Sequence, residues 1–221
     1  MTDYATMRSR IADELANDGD ITSAQINYAI QDTIKQFERR PWWFNQKTAT
    51  FATVAAQENY GSADLADIPD IVSIVSATVT YNSLKEPLRA VDYVTIDDEQ
   101  DGTVTGIPRL FAVFKEELRL YPIPDDAYTV TLSYIYRLTA LSADGDSNAW
   151  TTDAEELIRQ GAKRRIALNY LNSEEVAARF AVMEREAFVE MMAENRRRWP
   201  NTVLRVPGMP TVPEGYNINR G

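Results

Sequence analysis

Asp144, Asp146, Asn148 and Glu155 stand at positions 1, 3, 5 and 12 of the run DGDSNAWTTDAE, the spacing with which a calcium loop gathers oxygen ligands around one ion. Position 6 is Ala149, where the sharp turn of such a loop needs glycine, and the residues leading into it read as a strand instead of a helix. A polar turn ending in a capping box at Thr152 and Glu155 is therefore expected, with no metal. A second acidic group, Asp97, Asp98, Glu99 and Asp101, lacks the glutamate at the twelfth position and reads as a solvated loop. The adjacent pairs Glu116–Glu117 and Asp125–Asp126 have the residue types of a glycosidase acid and base. Neighbours on a strand point to opposite faces, however, and turns carry charge for solvation. Tyr134 and Tyr136 beside Arg137 have the composition of a base-stacking platform, but their alternate spacing fits core packing better.

The 221 residues include no cysteine and no histidine. Thiol nucleophiles, disulfides, Ser-His-Asp triads and zinc sites built from His or Cys are thereby excluded. Carboxylate pairs, lysine, tyrosine or an oxygen-bound metal remain as catalytic means. No phosphate loop or dinucleotide glycine pattern occurs, and no cofactor is expected. The formal charge of -10 opposes adhesion to nucleic acid or anionic lipid over the surface as a whole. Every apolar stretch is interrupted before it could span a bilayer, and MTDYATMRSRIADEL lacks the apolar centre of a signal peptide. The expectation is a protein made in a cytoplasm, without a membrane partner.

Tyr4, Met7, Ile11 and Leu15 share one helical face from Asp3 to Asn17. Thr22 and Gln25 form a capping box ahead of the stripe Ile26, Ile30, Ile34 and Phe37, which ends at Arg39, Arg40 and Pro41. The period then falls to two. Lys47 to Val54, Val75 to Tyr81, the hairpin arms Leu110–Phe114 and Leu118–Tyr121, and Tyr128 to Tyr136 read as strands. Helical spacing returns after Trp150 with Leu157, Ile158, Gly161, Ala162, Leu168 and Leu171. The glycine and alanine there form a notch where another helix can come close. After a break near Asn172–Ser173, Val176, Phe180, Met183, Ala187 and Met191 line a last helix ending in Arg196, Arg197 and Arg198.

These elements predict an α+β fold: a four-helix bundle with an antiparallel β domain inserted between the second and third helices, plus an extended C-terminal arm. The segments are 1–41 and 151–199 for the two helix pairs, 42–150 for the inserted β domain and 200–221 for a docking arm. Trp42 and Trp43 cannot easily enter one core together, so one is expected inside and the other on a partner. Arg196, Arg197 and Arg198 serve first as a charge complement to the helix end and second as a partner patch, with Trp199 beside them. In the arm, prolines forbid a helix while Val203, Leu204, Val206, Met209, Tyr216 and Ile218 are more apolar than a solvated tail needs.

Several stretches together resemble one known family. They are TFATVAAQENY from Thr50 to Tyr60, IPDI from Ile68 to Ile71, GIPRLF from Gly106, ELRLYPIP from Glu117, YTVTLSY from Tyr128, and Trp150 followed by the helix with the Gly161–Ala162 notch. In this order they resemble the head-to-tail adaptor (connector) proteins of tailed bacteriophages. That resemblance implies a structural virion component with no catalytic residues, forming a ring of about a dozen subunits under the portal protein. It implies as partners the portal, neighbouring adaptor subunits and a downstream tail or nozzle protein, with genomic DNA passing through the channel without specific binding. The competing reading is a carboxylate-based or calcium-assisted tail-associated hydrolase.

Overall fold

A computed structural model describes residues 2–15, 21–61, 63–65, 71–99, 104–115 and 117–198. Asp3 accepts a hydrogen bond from the Thr6 N–H at 2.8 Å and starts α1 (Tyr4–Glu14), which buries Tyr4, Met7 and Ile11. The capping box of Thr22 and Gln25 forms as the sequence predicts and opens α2 (Ser23–Phe37). Near the other end of the chain lie α5 (Glu155–Asn169) and the 25-residue α6 (Glu174–Arg198), separated by a turn in which Asn172 has φ 48°. α5 is the hub of this layer. Helices α1, α2 and α6 all pack on it, and eight of its residues are buried, among them Gly161 and Ala162.

The sheet is built from β1 (Gln46–Ala52), β2 (Asn59–Tyr60), β3 (Ile71–Tyr81), β4 (Leu84–Ala90), β5 (Leu110–Phe114), β6 (Glu117–Tyr121) and β7 (Thr129–Tyr136), in the order β1-β7-β3-β4-β5-β6-β2. Period-two patterning separates its faces. Ala77, Val79, Val130, Leu132 and Tyr134 face the hydrophobic core of the sheet, with Ala49 and Phe51 packed at its margin. The opposite positions meet rung by rung as Thr48–Ser133–Ser76, Thr50–Thr131–Thr78 and Ala52–Thr129–Thr80. Across these three strands that face is mostly hydroxyl, and Lys85 of β4 joins it opposite Thr80.

The structure corrects the expected fold class. No four-helix bundle forms: the described residues hold six helices, of which α1, α2, α4 (Ala149–Thr152) and α6 pack on α5 while α3 (Tyr93–Glu99) packs on β5. The sheet is a curled mixed sheet of seven strands, not an antiparallel one. The cause is α3, which carries the chain across from β4 so that β5 pairs with it in parallel through Arg89↔Leu110 and Ala90↔Phe111. Asp97, Asp98 and Glu99, expected in a solvated loop, belong to this helix, and Ile96 beside them is fully buried; Asp101 lies outside the described residues. Helix α4 is capped by Asn148 with Thr151. This replaces the capping box expected at Thr152 and Glu155. Ala154 stands at the cap position of α5 and makes no side-chain cap bond.

Candidate interaction site

Pro41 ends the α2 stretch, and the chain turns through Trp42, Trp43 and Phe44 into β1. Asn45 organises that turn: its side chain accepts from the Trp42 N–H at 2.8 Å and donates to the Arg40 carbonyl at 2.9 Å. The two indoles part as the sequence requires. Trp42 is fully buried, donates its ring N–H to the Phe37 carbonyl at 3.0 Å, and meets Phe44 and Phe188 at centroid separations of 6.0 and 6.1 Å. Trp43 stays half-buried at the rim. Its backbone N–H donates to Asn195 of α6 at 2.9 Å, and Asn195 donates in turn to the Pro41 carbonyl. The Arg198 guanidinium lies 4.8 Å from the Trp43 ring centroid.

A cleft of about 330 Å³ opens beside Trp43. Its apolar lining includes Leu157, Ala187 and Met191, and Glu190, Glu194, Arg197 and Arg198 bring charge to it. Arg197 and Arg198 both pair with Glu194, so one of the three positive charges of the helix end is offset within its own last turn, and the remainder complements the helix end. Arg196 is exposed. The structure thus brings Trp43, Arg197 and Arg198 together, and places Trp42 inside the core. Trp199, Val203, Leu204, Val206, Met209, Tyr216 and Ile218 lie outside the described residues. Asn195 and Phe188, which hold this junction, carried no signal in the sequence beyond their place on a helical face.

Most of the described side chains with the types and spacing for catalysis or metal binding are occupied otherwise. Asp144 pairs with Arg8. Asp146 accepts from the N–H groups of Ala143 and Ser142, each at 2.7 Å, and these bonds hold its carboxyl below the usual carboxylate range. Asn148 caps α4, and Glu155 pairs with Arg10 and accepts from the Thr2 hydroxyl. The loop carbonyls of Asp144 and Asp146 accept from the N–H groups of Ala5 and Tyr4. The run is a clasp on the start of α1. Asp125 accepts from the Tyr128 hydroxyl, a bond that pushes the Tyr128 pKa up to about 12. The Asp126 carboxylate accepts from the following backbone N–H. Tyr134 is buried in the sheet core, with Tyr136 edge-on to it at 6.5 Å. Glu117 begins β6, and Glu116 lies outside the described residues. Among the described residues no helix is long and apolar enough to cross a membrane.

No curated protein matches the chain. The family described as SU10 adaptor protein matches residues 2–207, which takes in every helix and strand above and the first part of the segment beyond α6. The chain belongs to the SU10 adaptor protein family.

Proposed function

We propose that this chain is a structural head-to-tail adaptor of a phage virion, with no catalytic activity. In this reading it forms a ring of about twelve copies under the portal, links the head to a downstream tail or nozzle protein, and continues the channel through which genomic DNA passes. The observation that carries the proposal is the family match along nearly the whole chain. Among the described residues, Asp125, Asp144, Asp146 and Glu155 each meet one of the protein's own donors, which supports the reading. The rim formed by Trp43, Arg196, Arg197 and Arg198, together with the apolar residues of the segment beyond α6, offers the portal-docking face. A net charge of -10 favours DNA sliding past without being held.

The test is native mass measurement and negative-stain imaging of the purified protein with and without the portal of its phage. Rings of adaptor on the portal are the expected result. Failure to attach to the portal at micromolar concentration would overturn the reading.

A further inference from the structure

Pairing with β7 determines how the backbone of β1 is used. At one end Tyr136 N–H donates to the Asn45 carbonyl at 2.9 Å, and at the other Thr53 N–H donates to the Tyr128 carbonyl at 2.8 Å. In an antiparallel ladder, residues that bond the neighbour alternate with residues that point away. Lys47, Ala49 and Phe51 therefore bond β7, while Thr48, Thr50 and Ala52 turn their N–H and C=O groups outward. β1 is the last strand of the sheet on its side. Among the described residues no backbone group meets that outward row.

This edge lacks the usual defences. Seven residues long, it holds one charge, no proline and no bulge against β7. β2, at the opposite end of the sheet, is only two residues long. Ala49 and Phe51 also remain only partly buried on the core side. A free subunit with such an edge is a template for unwanted pairing.

The chain itself holds a fitting segment. α6 ends at Arg198, against the Trp43 ring, and Trp43 precedes the first residue of β1 by three positions. The last described residue, Arg198, thus stands next to the entrance of β1. The first stretch after Pro200 is NTVLRV, 201–206, closed by Pro207. It is rich in strand-forming residues and alternates, with Thr202, Leu204 and Val206 on one side and Val203 and Arg205 on the other. Extended, six residues span about 20 Å, close to the length of β1.

We propose that residues 201–206 of the same chain dock as a parallel strand along the open edge of β1. Leu204 and Val206 cover the margin at Ala49 and Phe51, and Val203 and Arg205 join the hydroxyl face. Both segments run from the same end of the sheet, which makes the pairing parallel and leaves 207–221 to extend past it. The docked strand guards the edge of the free subunit. This inference stands on the edge and the chain path and concerns the free subunit; in the adaptor reading the same apolar residues leave the edge when they dock on the portal.

The test is residue-resolved amide exchange on the full chain and its Leu204→Pro variant, which removes a donor from the added strand without touching the described fold. The amides of Thr48, Thr50 and Ala52 should exchange on the order of tenfold faster in the variant, with Lys47, Ala49 and Phe51 unchanged. Equal exchange in both proteins overturns the proposal. The chain has no cysteine, so Thr48→Cys combined with Val203→Cys, which stand opposite each other when Leu204 lies against Ala49, gives a clean second measurement. A disulfide within one monomer is expected under mild oxidation. Disulfide-linked dimers would assign the edge to a second copy and overturn the same-chain occupant, and the absence of any disulfide would overturn docking on the hydroxyl face.

Discussion

A Cβ placed on Gly161 of α5 would stand 2.5 Å from Cγ2 of Thr33 on α2. The two helices meet there at a distance that only glycine permits. Gly161→Ala gains roughly 0.5–1 kcal/mol in helix propensity, but the overpacking costs about 1–3 kcal/mol. The variant should be less stable in urea unfolding. Thr33→Ser removes the clashing methyl and keeps the hydroxyl that bonds the Ala29 carbonyl at 2.7 Å. The double variant should regain the loss, and a double variant as weak as Gly161→Ala alone would contradict the contact.

Arg119 on β6 is 5% exposed and ties three segments together. It pairs with Asp97 of α3 and with Glu58 before β2, and its guanidinium lies 4.7 Å from the Tyr93 ring centroid. Arg119→Met keeps the stem and removes the charge, so about 1–3 kcal/mol should be lost and α3 should exchange its amides faster. Asp97 is half exposed, so Asp97→Asn should cost less than about 1 kcal/mol. Thermal melts of the two variants side by side check the order.

The elements legible in the sequence were those specified by neighbours in the chain. Thr22 and Gln25 announce α2, and the alternation from Tyr128 to Tyr136 announces β7. β4 was not legible, because Lys85, Glu86, Pro87 and Arg89 leave it almost wholly exposed and give it no apolar alternation. It forms because Asn82 and Ser83, both at positive φ, return the chain tightly from β3. α3 hides its one fully buried side chain, Ile96, among acids, and without α3 the parallel pair could not be foreseen. At the candidate site two adjacent indoles already require one inside and one at the rim. The bond from Trp43 to Asn195 joins residues 152 positions apart, and no local pattern encodes it.

Acid should weaken the fold in a defined window. Backbone N–H groups hold Asp146 below its ordinary value. Burial pushes Glu156 up, but Gln160 and Arg159 outweigh it, and its value is also lowered. A carboxyl whose folded pKa is depressed contributes stability above its unfolded pKa and loses it as pH falls through the folded one. Melting temperature should be nearly level above about pH 5 and fall from about pH 4 downward. Asp146→Asn should make that fall shallower, and an unchanged slope would show that the turn bonds contribute nothing.

Calcium should leave the melting temperature unchanged, as should EDTA. A ligand that binds only the folded state raises stability in proportion to its occupancy. For Asp144, Asp146 and Glu155 to take an ion they would have to leave Arg8, the two turn N–H groups and Arg10. They would also release the clasp on the start of α1. A reproducible rise with calcium that Glu155→Ala abolishes would reverse this assignment.

Trp42 and Trp43, one bond apart in the chain, should separate folding from docking. Trp42 is fully buried, its ring N–H is satisfied by the Phe37 carbonyl, and it packs between Phe44 and Phe188. Trp42→Ala should cost about 3–5 kcal/mol and damage every downstream property through stability alone. Trp43 is half-buried, and its tie to α6 runs through its backbone N–H, which substitution leaves in place. Trp43→Ala should cost about 1–2 kcal/mol of stability. It also strips the aromatic face from the rim on which Arg198 lies. On the proposed docking face it should weaken attachment to the portal by more than its stability loss explains, because a large aromatic at the centre of an interface carries a disproportionate share of binding. Binding is to be measured at a temperature where circular dichroism shows the variant fully folded. Undiminished portal attachment by a folded Trp43→Ala protein would remove this rim from the docking surface.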